Sequence, residues 1–301
     1  MNPLRGTVLE RDGAVYRVAL PEGQVRAVLT GRAKREGPRV VVGDAVRLEP
    51  EPAGELYGIV SVEPRRTLLE RRVPEGRGTR PVAANLDQVF VVTASTHPDP
   101  IPQLIDRLLV VAEANELPAA VVVNKTDLDR GERLIDRCRR AGYAVFPTSA
   151  RSGEGVDALG CALRGRATVV TGPSGAGKSS LLNAVQPGLG LRTGEISAKV
   201  RRGKNITVSA VMIPLAGGGF LVDTPGFSEV GLWGIDPREL ADCFPEFRPF
   251  LGQCRYADCR HRGEPGCRVQ AAADAGAIAA DRLESYLVLL NELESAPREW
   301  E

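Results

Sequence analysis

Two short motifs stand along this chain in an order that constrains how it can be threaded. Asn124-Lys125-Thr126-Asp127 closes an apolar run, Ala119-Ala120-Val121-Val122-Val123. It comes well ahead of the glycine-rich stretch Gly172-Pro173-Ser174-Gly175-Ala176-Gly177-Lys178-Ser179. That stretch fits the pattern G-x4-G-K-S/T, with the apolar run Ala167–Val170 before it and a helix start, Ser180-Leu181-Leu182-Asn183-Ala184-Val185, after it. Strand before and helix after is the setting in which such a loop wraps phosphates. Asp223-Thr224-Pro225-Gly226 comes last, behind Gly219-Phe220-Leu221-Val222. A domain with these parts ordinarily begins at the phosphate loop and ends at the Asn-Lys-x-Asp box. Here the box leads, so the same sheet must be threaded from a rotated starting point.

The residue types say what the parts do. Glycines in the run from Gly172 to Gly177 let backbone N–H groups close around phosphates. Lys178 reaches the β and γ oxygens, Ser179 can ligate Mg²⁺, and Ser180 continues the cofactor-binding run into the helix start. In the box formed by Asn124, Lys125 and Asp127, the Asp127 carboxylate can accept from guanine N1–H and N2–H₂. Adenine does not offer those donors in that arrangement, and an acceptor left unpaired discriminates strongly. Alone, the box could be an ordinary loop after a strand. Thr148-Ser149-Ala150 follows a further strand, Ala144–Pro147, and matches the loop whose backbone meets guanine O6, which brings Ser149 and Ala150 into the site. Together the two point to GTP and GDP.

Asp223 can hold the Mg²⁺ shell, and the Gly226 N–H can meet the γ-phosphate. The next residue is Phe227, where many such domains place a water-orienting Gln; an aromatic ring neither positions nor polarises water. Thr207, in Gly203-Lys204-Asn205-Ile206-Thr207, is the candidate switch threonine that closes on Mg²⁺. A strand threonine chosen for its β-propensity is the alternative.

Cysteine placement marks a second site. Cys254-x4-Cys259-x-His261-x5-Cys267 offers three thiolates and an imidazole, the four ligands of a closed tetrahedral Zn²⁺ site with no place for water, so its role is structural. His261 is one of two histidines; the other, His97, sits in a Pro-rich loop and reads as a surface residue. Cys138 and Cys161 stand apart, and Cys243 reads as a core residue.

The rest of the chain supplies the frame. Its 301 residues, 43% hydrophobic and 26% charged, suit a soluble protein of two or three domains. Residues 1–66 alternate apolar and polar positions in short strands (Gly6–Leu9, Ala14–Val18, Val25–Leu29, Val40–Val46), which predicts a five-stranded OB-like β-barrel. Residues 67–82, within an Arg-rich stretch carrying Arg65, Arg66, Arg71, Arg72, Arg77 and Arg80, read as a linker able to order on phosphates. Over residues 1–80 Arg and Lys number 15 against 11 Asp and Glu, an RNA-facing or merely solvated surface, while the whole chain carries only +1. Residues 83–235 alternate buried strands (Gln88–Thr93 first) with helices (Leu104–Asn115, Gly131–Ala141), a doubly wound α/β domain. Residues 236–301 hold the cysteine cluster and then a helical stretch, Val269–Glu294. No apolar run is long enough to span a bilayer and no signal peptide is visible, so the expected setting is cytoplasmic, without membrane. No coiled-coil pattern is present, which predicts a monomer.

Rotated motifs between an N-terminal barrel and a Cys-x4-Cys-x-His-x5-Cys tail resemble the ribosome small-subunit-dependent GTPase A family, RsgA. The stretches that carry the resemblance are Ala83-Ala84-Asn85-Leu86-Asp87-Gln88, Asn124–Asp127, Gly172–Ser179, Thr193-Gly194-Glu195-Ile196-Ser197, Asp223–Gly226 and the cysteine cluster. The resemblance implies a circularly permuted GTPase acting late in maturation of the small ribosomal subunit. It also implies rRNA binding through barrel and zinc domain, and hydrolysis stimulated by the subunit. The family's switch usually reads Gly-Arg-His-Thr-Thr-Thr, its His a proposed catalytic residue; here Asn205 stands in that place and Thr207 keeps the Mg²⁺-type position. Asn can orient water but cannot shuttle a proton near neutral pH.

The expected reaction is Mg²⁺-dependent attack of water on the γ-phosphate of GTP, with Lys178, Asn205 and Thr207 as the catalytic candidates. The alternative, favoured by Phe227 and Asn205, is an rRNA-binding assembly factor that uses GTP with little turnover. A P-loop kinase of a small molecule leaves the Asn-Lys-Thr-Asp box, the barrel and the cysteine tail unexplained.

Overall fold

The computed structural model describes residues 3–51, 54, 56–72, 79–191, 210–224, 227, 232 and 235–295. These fall into two compact units. The first draws on 1–88, 160–170 and 194–227; the second on 89–159, 171–193 and 228–301.

The first unit begins with β1 (Leu4–Asp12), β2 (Val15–Leu20), β3 (Gly23–Leu29), helix α1 (Gly31–Glu36), β4 (Ala45–Pro50) and β5 (Tyr57–Val62). They close into a barrel of order β1-β2-β3-β5-β4, with β3 parallel to β5 and β1 antiparallel to β4. A five-stranded closed barrel with that connection is the OB topology. Period-two alternation fills it: Tyr16 and Val18 of β2 and Val46 and Leu48 of β4 point inward onto Val8, Ala27 and Ile59. At Gly6 a Cβ would lie 2.5 Å from Val18 Cγ1 and 2.8 Å from the Ala19 carbonyl oxygen, so a side chain has no room where β1 crosses β2.

Two expectations change here. The run Val40–Val46 is not one strand; β4 starts only at Ala45. The buried Asp44 carboxylate bends the chain by accepting from Val41 N at 2.8 Å and from Arg65 Nε at 2.7 Å. The stretch expected as a linker contains a hairpin ribbon, β6 (Leu68–Arg72) antiparallel to β7 (Thr79–Ala84). Leu69 and Ala83, paired across the ribbon, give it a buried face, and Ala84 is buried on the other, which the arginines conceal in the sequence.

The chain continues through β8 (Gln88–Ala94), α2 (Pro102–Ala114), β9 (Ala119–Asn124), α3 (Glu132–Arg140), β10 (Ala144–Pro147), α4 (Val156–Leu163), β11 (Ala167–Thr171), α5 (Lys178–Val185), β12 (Val211–Pro214) and β13 (Phe220–Asp223). In the second unit β10, β9 and β8 lie side by side in that order, all parallel. Every residue of β8 is buried, as its continuous apolar run requires. In the first unit β11 runs parallel to β13, and β12 pairs antiparallel with β13. Helix α3 carries Glu132 in its first turn and Arg137, Arg139 and Arg140 in its last, each sign matching the helix dipole.

The expected helical stretch Val269–Glu294 is two helices, α6 (Arg268–Asp274) and α7 (Ala280–Ser295), because Gly276 turns the chain at φ 76°. Phe244, Phe247 and Tyr286 pack between them and the preceding turns, and Cys243 is buried in the same core.

Candidate nucleotide site and metal centre

The loops that follow β9 and β10 meet the phosphate loop inside the second unit. After β11 the chain turns at Gly172, where φ is 135° and a Cβ would stand 1.9 Å from the Val92 carbonyl oxygen. Gly177, at φ 87°, caps α5, and a Cβ there would be 2.4 Å from Asn124 Nδ2. Only glycine lets the loop pass this close to β8 and to the Asn-Lys-Thr-Asp box. Ala176 is fully buried beneath the loop, while Ser174 and Gly175 are exposed. Lys178 Nζ donates to the carbonyls of Gly172 at 2.7 Å and Pro173 at 2.8 Å, spanning the loop from within. Ser179 and Ser180 follow in the first turn of α5, with Ser179 buried.

Asn124 joins three motifs. Its Nδ2 donates to the Ala176 carbonyl at 3.0 Å, and its Oδ1 accepts from Ala150 N at 3.2 Å. At 1% exposure this side chain serves as a strap, not as a ligand-facing group. Asp127 is exposed, with Oδ1 held by the Ser149 hydroxyl at 2.6 Å, and Ser149 is itself buried. Thr126 N donates to the Thr148 carbonyl at 3.1 Å, which fixes the spacing of the two loops. The Asp127 carboxylate is therefore held in a set orientation, which an acceptor that discriminates between bases would require. The neighbourhood also contains a part no motif announces. The Lys125 ammonium donates to the His97 carbonyl, Ser95 Oγ donates to the Lys125 carbonyl at 2.9 Å, and Pro98 faces Gly175. His97 is a surface residue by its side chain, but its backbone braces the box.

In the first unit Asp223 ends β13 and Thr224 is buried beside it. Phe227 is 2% exposed, a core group that leaves the position usually given to Gln facing inward. Gly226, Asn205 and Thr207 lie outside the described residues, as do Arg77 and Thr193–Ser197.

The ligand atoms of Cys254, Cys259, His261 and Cys267 lie within 4.8 Å of one another. His261 Nδ1 is 3.6 Å from the sulfurs of Cys254 and Cys259 and 3.4 Å from that of Cys267. A tetrahedral ion with ordinary Zn–S and Zn–N bonds needs an edge of about 3.6 Å between N and S, so the donor set and its spacing are compatible with zinc. Outer hydrogen bonds are in place. Arg268 N donates to Cys254 Sγ and Gln270 N to Cys267 Sγ, both at 3.4 Å, and the Glu264 carboxylate accepts from Arg260 N and Arg262 N at 2.7 Å. The remaining cysteines do not compete. Burial pushes the Cys138 thiol up to about 11 and the Cys243 thiol up to about 12, and Cys161 stands alone at the surface.

Sequence patterns miss a buried charge network altogether. Arg137 grips Asp106 with both arms, at 2.7 and 2.9 Å, and Arg282 reaches the same carboxylate at 2.6 Å. Arg282 also holds Glu246 at 2.5 and 3.1 Å. Burial opposes charge on Asp106, but the Arg137 hydrogen bonds and the Arg282 charge outweigh it and hold the carboxyl below its usual range. The signal available was one carboxylate in the apolar stripe of α2, between Ile105 and Leu108.

A family model described as RsgA GTPase matches residues 62–233. The chain belongs to the RsgA GTPase family. It is thus a GTP hydrolase, and the rotated motif order is the circular permutation expected from the sequence. Among RsgA relatives, the small ribosomal subunit biogenesis GTPase RsgA of Gemmatimonas aurantiaca is 47% identical over 297 residues, covering 96% of this chain and 97% of that protein. The Moorella thermoacetica protein of the same description is 44% identical over 294 residues, with 96% and 97% covered. The crystal structure of YjeQ from Thermotoga maritima aligns with TM-score 0.81 at 34% identity over 98% of this chain and 99% of that one. YloQ, described as a circularly permuted GTPase, aligns at 0.77 and 24% identity over 98% and 97%, a likeness of fold. No helix among the described residues is long and apolar enough to cross a membrane.

Proposed function

We propose that this RsgA GTPase hydrolyses GTP on the small ribosomal subunit late in its maturation, and that hydrolysis times its release. The observation that carries the nucleotide part is the Asn124 side chain, hydrogen-bonded to both Ala176 and Ala150. That strap unites the base-reading, O6-contacting and phosphate-binding loops in spite of their rotated order. The relatives' shared description as small ribosomal subunit biogenesis GTPases supports the partner.

Asp127 reads guanine while Ser149 holds its carboxylate and the Ala150 loop lies over O6. Gly172 to Ser180 enclose the phosphates. Lys178 exchanges its two loop carbonyls for phosphate oxygens and offsets their charge as it moves to the γ position. Ser179 and Thr207 would hold Mg²⁺, with Asp223 in its outer shell, and the ion would offset the charge of the phosphates. Gly226 senses the γ-phosphate through its N–H, and Asn205 orients the attacking water by hydrogen bonding. Zn²⁺ on Cys254, Cys259, His261 and Cys267 is structural, since all four positions are protein ligands. The protein acts as a monomer in the cytoplasm and meets rRNA through barrel and zinc region.

GTP turnover with and without isolated small subunits tests this reading. Strong stimulation is the expected result. Tight GTP-dependent binding without stimulation would instead favour the reading as an assembly factor with little turnover, for which the inward-facing Phe227 speaks.

A further inference from the structure

The turn between the first two cysteines of the metal cluster carries an aromatic ring outward. Tyr256 is 45% exposed, and every other described Phe or Tyr ring is buried or half-buried. The Arg255 guanidinium lies over the ring, 5.6 Å from its centroid. Both residues stand on a stiff base. Cys254 and Cys259 flank them and belong to the cluster, Arg255 N donates to the Gly266 carbonyl at 3.1 Å, and Cys259 N donates to the Tyr256 carbonyl at 3.3 Å. A Cβ on Gly266 would come within 2.8 Å of Arg255 Cβ, so the two sides of the loop are in close contact.

The surroundings decide what such a ring can meet. Its sequence neighbours Arg255, Ala257 and Asp258 are exposed, and none of them is a large apolar side chain that would extend the ring into a water-excluding protein patch. Among the described residues Arg255 and the exposed Arg268, whose backbone N–H donates to Cys254 Sγ, are in no ion pair, whereas Arg260 and Arg262 are tied to Glu294. A lone exposed ring, a guanidinium plane and unpaired positive charge on a rigid loop form a platform for an unstacked nucleotide, its base on the ring and its phosphate on the arginines.

We propose that Tyr256 and Arg255 form a stacking platform for an unpaired nucleotide of single-stranded RNA. This rests on the reading that the protein works on the small ribosomal subunit, and it names the residues and the kind of RNA that the metal-bearing loop takes. The ring gives affinity without base identity; the arginines give salt dependence.

The test compares wild type, Tyr256→Ala, Tyr256→Phe and Arg255→Ala on three probes: a single-stranded oligo(A), an RNA duplex of equal length, and isolated small subunits. Metal content and unstimulated GTP turnover should be the same in all four. Wild type should prefer oligo(A) to duplex. Tyr256→Ala should weaken oligo(A) and subunit binding roughly five- to a hundredfold, the range for loss of one stacked base, while Tyr256→Phe keeps both. Arg255→Ala should lower the salt dependence of binding by about one released counterion. Oligo(A) affinity unchanged in Tyr256→Ala overturns the proposal. Subunit binding lost with oligo(A) binding intact also overturns it, because the ring would then dock on a ribosomal protein. If wild type fails to bind subunits, the ribosomal reading falls while the oligo(A) comparison still decides the platform.

Discussion

The Asn124 amide donates to the Ala176 carbonyl across 3.0 Å, and the two residues are 52 positions apart in the chain. In a permuted GTPase this contact replaces covalent order: the box precedes the phosphate loop in sequence, yet the two are locked together in space. Asn124→Ala leaves the Ala176 carbonyl and Ala150 N–H without their partner. At about 1–3 kcal/mol for a buried group so orphaned, affinity for GDP and GTP should both fall by roughly tenfold or more. Titration with a fluorescent guanine nucleotide reads this directly. Unchanged affinity would mean that the strap is not what holds the loops.

Asp127 offers a sharper test of base recognition. Its carboxylate is held at one oxygen by Ser149 and accepts two guanine donors in the proposed site. Asp127→Asn turns one acceptor into a donor. Guanine nucleotides should lose on the order of a hundredfold in affinity, while xanthine nucleotides, which carry a carbonyl in place of the 2-amino group, should gain. Competition by GDP and XDP against one fluorescent ligand measures both, and an unaltered preference for GDP would remove Asp127 from the base site.

The buried Asp106 network makes a prediction about stability. Asp106→Asn keeps the shape but leaves Arg137 and Arg282 as poorly compensated charges in the interior, at a cost of about 3–5 kcal/mol. The pH dependence has a definite sign. Because the folded carboxyl titrates below its unfolded value, its stabilisation is complete above the unfolded pKa, about 3.9, and fades as pH falls through the lower folded value. Denaturant unfolding followed from neutral to acid pH should show wild type losing this margin only on the acid side. The asparagine variant should be weaker throughout, with a flatter acid limb.

Those three residues also mark what the sequence discloses. Asp127 and the phosphate loop are legible because their chemistry demands particular residue types at fixed spacing beside a strand. The barrel is legible for a different reason: alternation such as Tyr16-Arg17-Val18 follows from the pleat itself. Asn124 is visible in its motif, but its role as a strap is not, since Ala176 and Ala150 enter by backbone atoms, which any residue supplies. Asp106, Arg137, Glu246 and Arg282 escape because pairing across helices leaves no periodic trace. The ribbon of β6 and β7 hides likewise: its ladder is made by backbone groups, and the arginines between Leu69 and Arg80 break the expected apolar pattern.

Thiol chemistry tests the metal centre together with the placement of all six cysteines. In the native protein Cys161 alone is exposed and outside the cluster, so a thiol reagent at neutral pH should modify about one group. A strong zinc chelator should release the ion and open three more, Cys254, Cys259 and Cys267, as the loop loses its tetrahedral centre. Cys138 and Cys243 should stay silent until a denaturant is added, because burial keeps both thiols protonated near neutral pH. Zinc released should equal one ion per chain, and His261→Ala should bind far less of it. Guanine-nucleotide binding, measured alongside, should survive chelation, since Asn124, Asp127 and Lys178 make no contact with the cluster through the hydrogen bonds that place them. Four reactive thiols before chelation, with no zinc in the protein, would show that the three cysteines and His261 meet without a metal.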